Sequence, residues 1–189
     1  PTGGPLFFSG IAWQRYILMM SQPDFQPTLV GPTITVRPIS RDDWTDMFAA
    51  GSDPEIWKVH PVPDRYTGAG FRKFFDGAID SGMGFAFVDR ASGRIIGSSR
   101  YYGYEPDLSE IEIGWTFLAR AYWGGRHNGE MKRLMLRHAF RFVENVVFLI
   151  GADNWAIFPK WHKPDEVLRE ATLVVYPRKD AEIGKLPSG

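Results

Sequence analysis

The segment from Ser109 to Phe142 constrains the fold most, because its hydrophobic period changes within a few residues. SEIEIGWTFL (Ser109 to Leu118) alternates like a half-buried strand. Ile111, Ile113, Trp115 and Phe117 are predicted on one face, with Glu110, Glu112, Gly114 and Thr116 on the other. After ARAYWGGRHNG the period lengthens to about 3.6 residues, and Met131, Leu134, Met135, His138 and Phe142 form one helical stripe. A strand, a glycine loop and a helix N-terminus in that order can form an anion site, because the first-turn N–H groups are unpaired and the dipole is positive there. Gly124 and Gly125 allow close approach to the backbone, and Arg126 adds a cation. A plain glycine turn leading into an ordinary helix fits the same residues.

The rest of the chain reads as one mixed α/β unit. ITVRPI (Ile34 to Ile39) alternates as a strand, and Ser40 with Asp43 forms a capping-box start for a helix carrying Trp44, Met47 and Phe48. Pro54 opens a second helical turn. After a loop from His60 to Gly70, Phe71, Phe74, Phe75, Ala78 and Ile79 recur at helical spacing until Gly82. GFAFVD and RIIGSSRYYGY flank a short turn and predict a β-hairpin. VVFLIG (Val146 to Gly151) predicts a buried strand, PDEVLREA a short helix and TLVVY a last strand. We expect residues 1–28 to be an N-terminal extension, with natural translation starting at Met19 or Met20 and part of the extension foreign to the native chain. Residues 29–189 are expected to form one domain.

Composition narrows the partners. Lys and Arg total 22, as do Asp and Glu, so no global field favours nucleic acid or an acidic membrane. An anion site must therefore be local. The chain has no cysteine, which removes disulfides, thiolate nucleophiles and thiolate metal sites and fits a cytoplasmic protein. His60, His127 and His162 show no metal-ligand spacing, so no metal is expected. No apolar run reaches the roughly 20 residues that span a membrane.

Known phosphate loops do not fit. Gly124 and Gly129 have the spacing of a nucleoside-triphosphate loop, but Glu130 and Met131 stand where Lys and Ser or Thr are required. The dinucleotide-binding glycine pattern is absent too. Instead, EIEIGWTFLARAYWGGRHNGEMKRLMLRHAFRFVENVVFLIG resembles the core of the GCN5-related N-acetyltransferase (GNAT) superfamily, in the branch of the ribosomal-protein N-terminal acetyltransferases. RPISRDD and SDPEIW match as well, and the resemblance covers roughly Leu29 to Asn154.

That resemblance implies a mostly antiparallel central sheet, flanked by helices and splayed between its fourth and fifth strands, here Ser109 to Leu118 and Val146 to Gly151. It implies acetyl-CoA as co-substrate. Pantetheine would lie in the splay against the main chain of Trp115, Thr116 and Phe117, and the diphosphate on Trp123, Gly124, Gly125, Arg126, His127, Asn128 and Gly129. Asn154 is a further expected contact. The chain departs from the family at Arg126, where a glycine is usual, and after Asn154, where WAIFPKWHKPDEVL replaces the usual serine-bearing helix.

Acetyl transfer to an amine needs a neutral nucleophile, a polarised carbonyl and close approach. An alkylamine with pKa near 10.4 is only about 0.1% neutral at pH 7, so a base is useful. Glu112, mid-strand where Val or Thr would be usual, is the candidate base, with Glu110 as alternate; pairing with Arg100 is its structural alternative. Tyr122 is considered as general acid, a gate or core role being its alternative. Asn128 is expected to cap the helix, Glu130 and His138 to be structural, and Lys132 or Arg133 to reach toward the 3′-phosphate of CoA. The expected function is an acetyl-CoA-dependent N-acetyltransferase acting on a protein N-terminus or small amine, with a homodimer as the candidate assembly. The alternative is a CoA-binding module of the same fold without catalysis.

Overall fold

The computed structural model describes residues 23–160, 165, 168, 169 and 171–176. Met19, Met20 and His162 lie outside them. Seven strands form one sheet in chain order: β1 (Leu29–Val30), β2 (Ile34–Pro38), β3 (Gly84–Asp89), β4 (Ile95–Glu105), β5 (Glu110–Leu118), β6 (Asn145–Gly151) and β7 (Thr172–Tyr176). Pairing is antiparallel from β1 through β5, then parallel for β5–β6 and β6–β7. The helices are α1 (Trp44–Gly51), α2 (Pro54–Trp57), α3 (Gly68–Asp80), α4 (Arg126–Ala139) and α5 (Ala152–Ile157). Asp165, Leu168 and Arg169, within the predicted PDEVLREA helix, are helical. Among the described residues no helix is long and apolar enough to cross a membrane.

The predicted starts and stops have visible causes. Ser40 and Asp43 form a reciprocal capping box, and Asp43 also holds Arg37 through two hydrogen bonds of 2.7 and 2.8 Å. Asp53 and Thr67 cap α2 and α3 through their side chains. Gly82, with φ of 62°, ends the region after α3.

Two apolar clusters cover the sheet. One joins Phe85, Phe87, Ile96, Tyr101, Ile111 and Ile113 to Met131, Met135 and Ala139 of α4. The other joins Ala86, Ile95 and Phe117 to Met47, Trp57, Phe71, Phe74 and Phe75. The alternation of β3 and β4 between the clusters is the two-residue period made visible. Phe117 breaks the prediction: it packs with the α1–α3 aromatics rather than with Ile111 and Ile113. The cause is a bulge, since Gly114 to Phe117 on β5 spans three steps while Arg100 to Ser98 on β4 spans two. One extra residue inverts the phase of everything after it.

Glu130 fixes α4 to the far edge of the sheet. Its carboxylate, 5% exposed, accepts from Thr33 N at 2.9 Å, Thr33 Oγ1 at 2.7 Å and Ile34 N at 3.2 Å. Burial pushes its pKa up, but these donors and Arg133 outweigh burial and hold it below the ordinary 4.5. Replacing Glu130 by Ala strands buried donors and is expected to cost on the order of 3 kcal/mol in urea unfolding. Because the carboxylate pKa is lowered in the folded chain, this contribution is present above pH 4.5 and shrinks as pH falls through the folded value. The stability gap between wild type and Glu130→Gln should narrow in that acid window.

Candidate active site

The parallel pairing of β5 with β6 ends early. The register runs from Glu110 opposite Asn145 to Ile113 opposite Phe148 and stops there. Beyond it, β5 pairs only with β4, while Leu149, Ile150 and Gly151 pair with β7. The sheet therefore parts after Ile113, leaving main-chain groups of Trp115 to Leu118 outside the β5–β6 ladder.

The bulge sits at the start of that split. Trp115 has φ of 55°, a left-handed conformation that costs a non-glycine residue about 1–2 kcal/mol. Its neighbours over-determine it. The Ser99 hydroxyl, on buried Ser99 of β4, donates to Gly114 O at 2.9 Å and lies 2.8 Å from Thr116 Oγ1. The guanidinium carbons of Arg100 and Arg65 lie 4.4 and 5.2 Å from the Trp115 ring centre.

The mouth of α4 faces the end of β5. A turn over Arg120–Tyr122 leads to Trp123, whose indole donates back to Leu118 O at 2.9 Å. Gly124, at φ of 68°, turns the chain, and Gly125 is the helix cap with no side-chain hydrogen bond. The expectation that Asn128 caps the helix is thus corrected: the helix begins at Arg126 as soon as Gly124 has turned the chain, and Asn128 is its third residue. No side chain satisfies the first-turn N–H groups, unlike those of α2 and α3. A β-carbon on Gly124 or Gly129 would meet nothing within 4 Å, so the approach is open. The side chains of Arg126 and His127 lie toward the β3–β4 turn: Arg126 lines a cavity with Asp89 and Arg90, and His127 Nε2 is 3.7 Å from Asp89 Oδ1.

Glu112 lies on the sheet face opposite Ile111 and Ile113, across from Tyr102 and against Gly103. It makes no hydrogen bond or ion pair with described residues, and Arg100 donates elsewhere, to Gly77 O and Phe74 O of α3. Burial and the like charge of Glu110 push the Glu112 pKa above 4.5.

The profile of the acetyltransferase (GNAT) domain matches residues 33–158, two-thirds of the chain. This chain belongs to the GNAT acetyltransferase family. Among solved structures it is similar to a GCN5-related N-acetyltransferase of Brucella melitensis, at 22% identity and TM-score 0.58, covering 65% of this chain and 58% of that one. It is also similar to a GNAT-family acetyltransferase of Bacillus anthracis, at 18% identity and TM-score 0.52, covering 61% and 67%. The chain thus spans little more than half the length of the Brucella protein. No curated protein matches.

Within this GNAT domain the expected residues fall into two groups. Glu112, Trp115, Thr116 and Phe117 lie along β5, and Trp123 to Gly129 form the turn and first helical residues after it. Asn154 lies apart on α5, after β6. Lys132 is turned toward β6, with Nζ 5.7 Å from the Phe148 ring centre. Sequence reasoning missed Ser99 and the pair Arg65 and Arg100. The signal was the polar run Ser98, Ser99, Arg100 inside an otherwise apolar strand. Ser99→Ala removes the hydroxyl tie across the bulge and leaves Gly114 O only the longer side-chain hydrogen bond from Thr116 Oγ1, at 3.4 Å. It is expected to cost about 1 kcal/mol, read as a lower urea midpoint at unchanged slope.

Proposed function

We propose that the chain transfers an acetyl group from acetyl-CoA to a primary amine by direct attack in a ternary complex. The observation that carries this reading is the parting of β5 from β6 beside an uncapped helix mouth. The residues present fit the coenzyme: open glycines and unpaired first-turn N–H groups suit a diphosphate, and an unpaired strand edge suits an amide-bearing arm. Acetyl-CoA supplies the activated thioester.

The chain's own residues do the rest. Main-chain N–H groups at Gly124 to Gly129 bind the diphosphate, with the half-exposed Trp123 at the start of the turn. Main chain at Trp115 to Phe117 orients the arm, and the bulge aims one N–H at the thioester oxygen, stabilising charge that develops there. Glu112 takes the proton from the acceptor ammonium, directly or through water. The amine nitrogen then bonds to the acyl carbon, the carbon–sulfur bond breaks, and the sulfur leaves as a thiolate that takes up the second proton shed by the nitrogen, giving the amide and the free thiol. The raised Glu112 pKa makes it a stronger base than an ordinary glutamate.

Thiol release with a panel of amines tests the reading. Turnover with saturable acetyl-CoA and intersecting two-substrate kinetics is expected; coenzyme binding with no turnover on any amine would leave a binding module instead. Glu112→Gln is expected to lower kcat about a hundredfold or more. The acid limb of kcat/KM should titrate above pH 4.5, because activity needs Glu112 ionised and its pKa is raised. Glu110→Gln removes the like charge, so this limb should move to lower pH. An acid limb unmoved by Glu110→Gln, with Glu112→Gln fully active, removes Glu112 from the role.

A further inference from the structure

The sheet face that carries Glu112 also carries a pocket of about 270 Å³ against Trp115 and Phe74. Its wall includes Arg65, Lys73 and Arg100, against one carboxylate, that of exposed Asp64. Positive charge is therefore gathered locally in a chain whose overall charge is zero.

Arg100 is the unusual member. It is 6% exposed, yet among the described residues no carboxylate lies within ion-pair reach. Its Nη1 and Nη2 donate to neutral carbonyls, Gly77 O at 2.9 Å and Phe74 O at 3.2 Å, and its Nε is buried without a partner. Arg65, 8% exposed, lies over the same two rings, 5.1 Å from the Phe74 centre and 5.2 Å from that of Trp115. Burial and this neighbouring cation hold the Arg100 pKa down at about 10. The rings offset part of the cost of crowding two guanidiniums, but a mobile anion would offset more. Gly70 makes the arrangement possible, because a β-carbon there would strike the Asp64 carbonyl of the turn that carries Arg65.

Position links the pocket to the reaction. Arg100 pairs with Gly114, and Glu112 is two residues along β5 on the same face. Such diagonal neighbours lie about 7–8 Å apart at the backbone, a span that a molecule of a few carbons bridges. The pocket lies below the roughly 300–1,000 Å³ usual for drug-sized ligands, so it suits a small acidic group.

We propose that this pocket anchors the acceptor, and that the acceptor is a small amine bearing a carboxylate, held by Arg100 and Lys73 beside Arg65 with its amine toward Glu112. This rests on the acetyltransferase reading and narrows it: polyamines and aminoglycosides carry the wrong sign for this wall.

The test uses the full chain and acetyl-CoA. Thiol release is measured with β-alanine and 4-aminobutyrate, with their amides, with spermidine, and with a peptide of acidic N-terminal sequence. The carboxylates are expected to exceed their amides in kcat/KM by about tenfold or more, with spermidine poorer still. Lys73→Gln, at an exposed position, should raise the carboxylate KM about threefold to fivefold with the KM for acetyl-CoA unchanged, and Arg100→Gln should raise the carboxylate KM about tenfold or more. Should Arg100→Gln fail to fold, Lys73→Gln and the amide comparison decide. Coenzyme binding is followed in parallel by calorimetry. If CoA gives no heat and no amine is acetylated, the acetyltransferase reading falls and this inference with it. If CoA binds and turnover occurs but amides, spermidine or the acidic peptide match the small carboxylates, the inference alone is overturned.

Discussion

One broken ladder organises the molecule. β5 and β6 are hydrogen-bonded neighbours for four residue pairs and then separate, because the bulge at Trp115 turns the rest of β5 out of phase while β6 continues against β7. Unpaired strand backbone inside a sheet is costly unless water or a ligand satisfies it. A domain that retains such a gap beside an uncapped helix end presents two complementary sets of donors and acceptors at one place.

Holding that gap open needs support from both sides. Ser99 ties the bulge across β4, and Arg65 and Arg100 stack on the tryptophan that the bulge exposes. On the other face Glu130 pins α4 to the β1–β2 turn, so the helix mouth is fixed relative to the sheet by three hydrogen bonds. The carboxylate in the helix's second turn thus positions the helix through its bonds to Thr33 and Ile34.

Much of this was legible in the residues. The hairpin, the capping box at Ser40, the apolar stripe of α4 and the final strand all follow from period and local chemistry, and the order of motifs pointed to the family. The bulge was not legible. A tryptophan with positive φ has no propensity signature, and alternation read through Trp115 and Phe117 without a break. Asn128 looked like a cap because Asn is a good one, but Gly124 and Gly125 had already turned the chain. The arginine wall was invisible for a different reason: positions 65, 73 and 100 meet only when the α2–α3 turn folds over α3 onto β4. Glu130 likewise finds its partner 97 residues away.

What fills the split decides what the domain does. Amide hydrogen exchange of the full chain, with and without acetyl-CoA, tests it most directly. Protection should rise on coenzyme addition at Trp115 to Leu118, outside the β5–β6 ladder, and at Gly124 to Gly129, where no side chain caps the helix, and stay unchanged at β2 and β3. Unaltered exchange in those two segments at saturating coenzyme, or protection appearing only elsewhere, would contradict it.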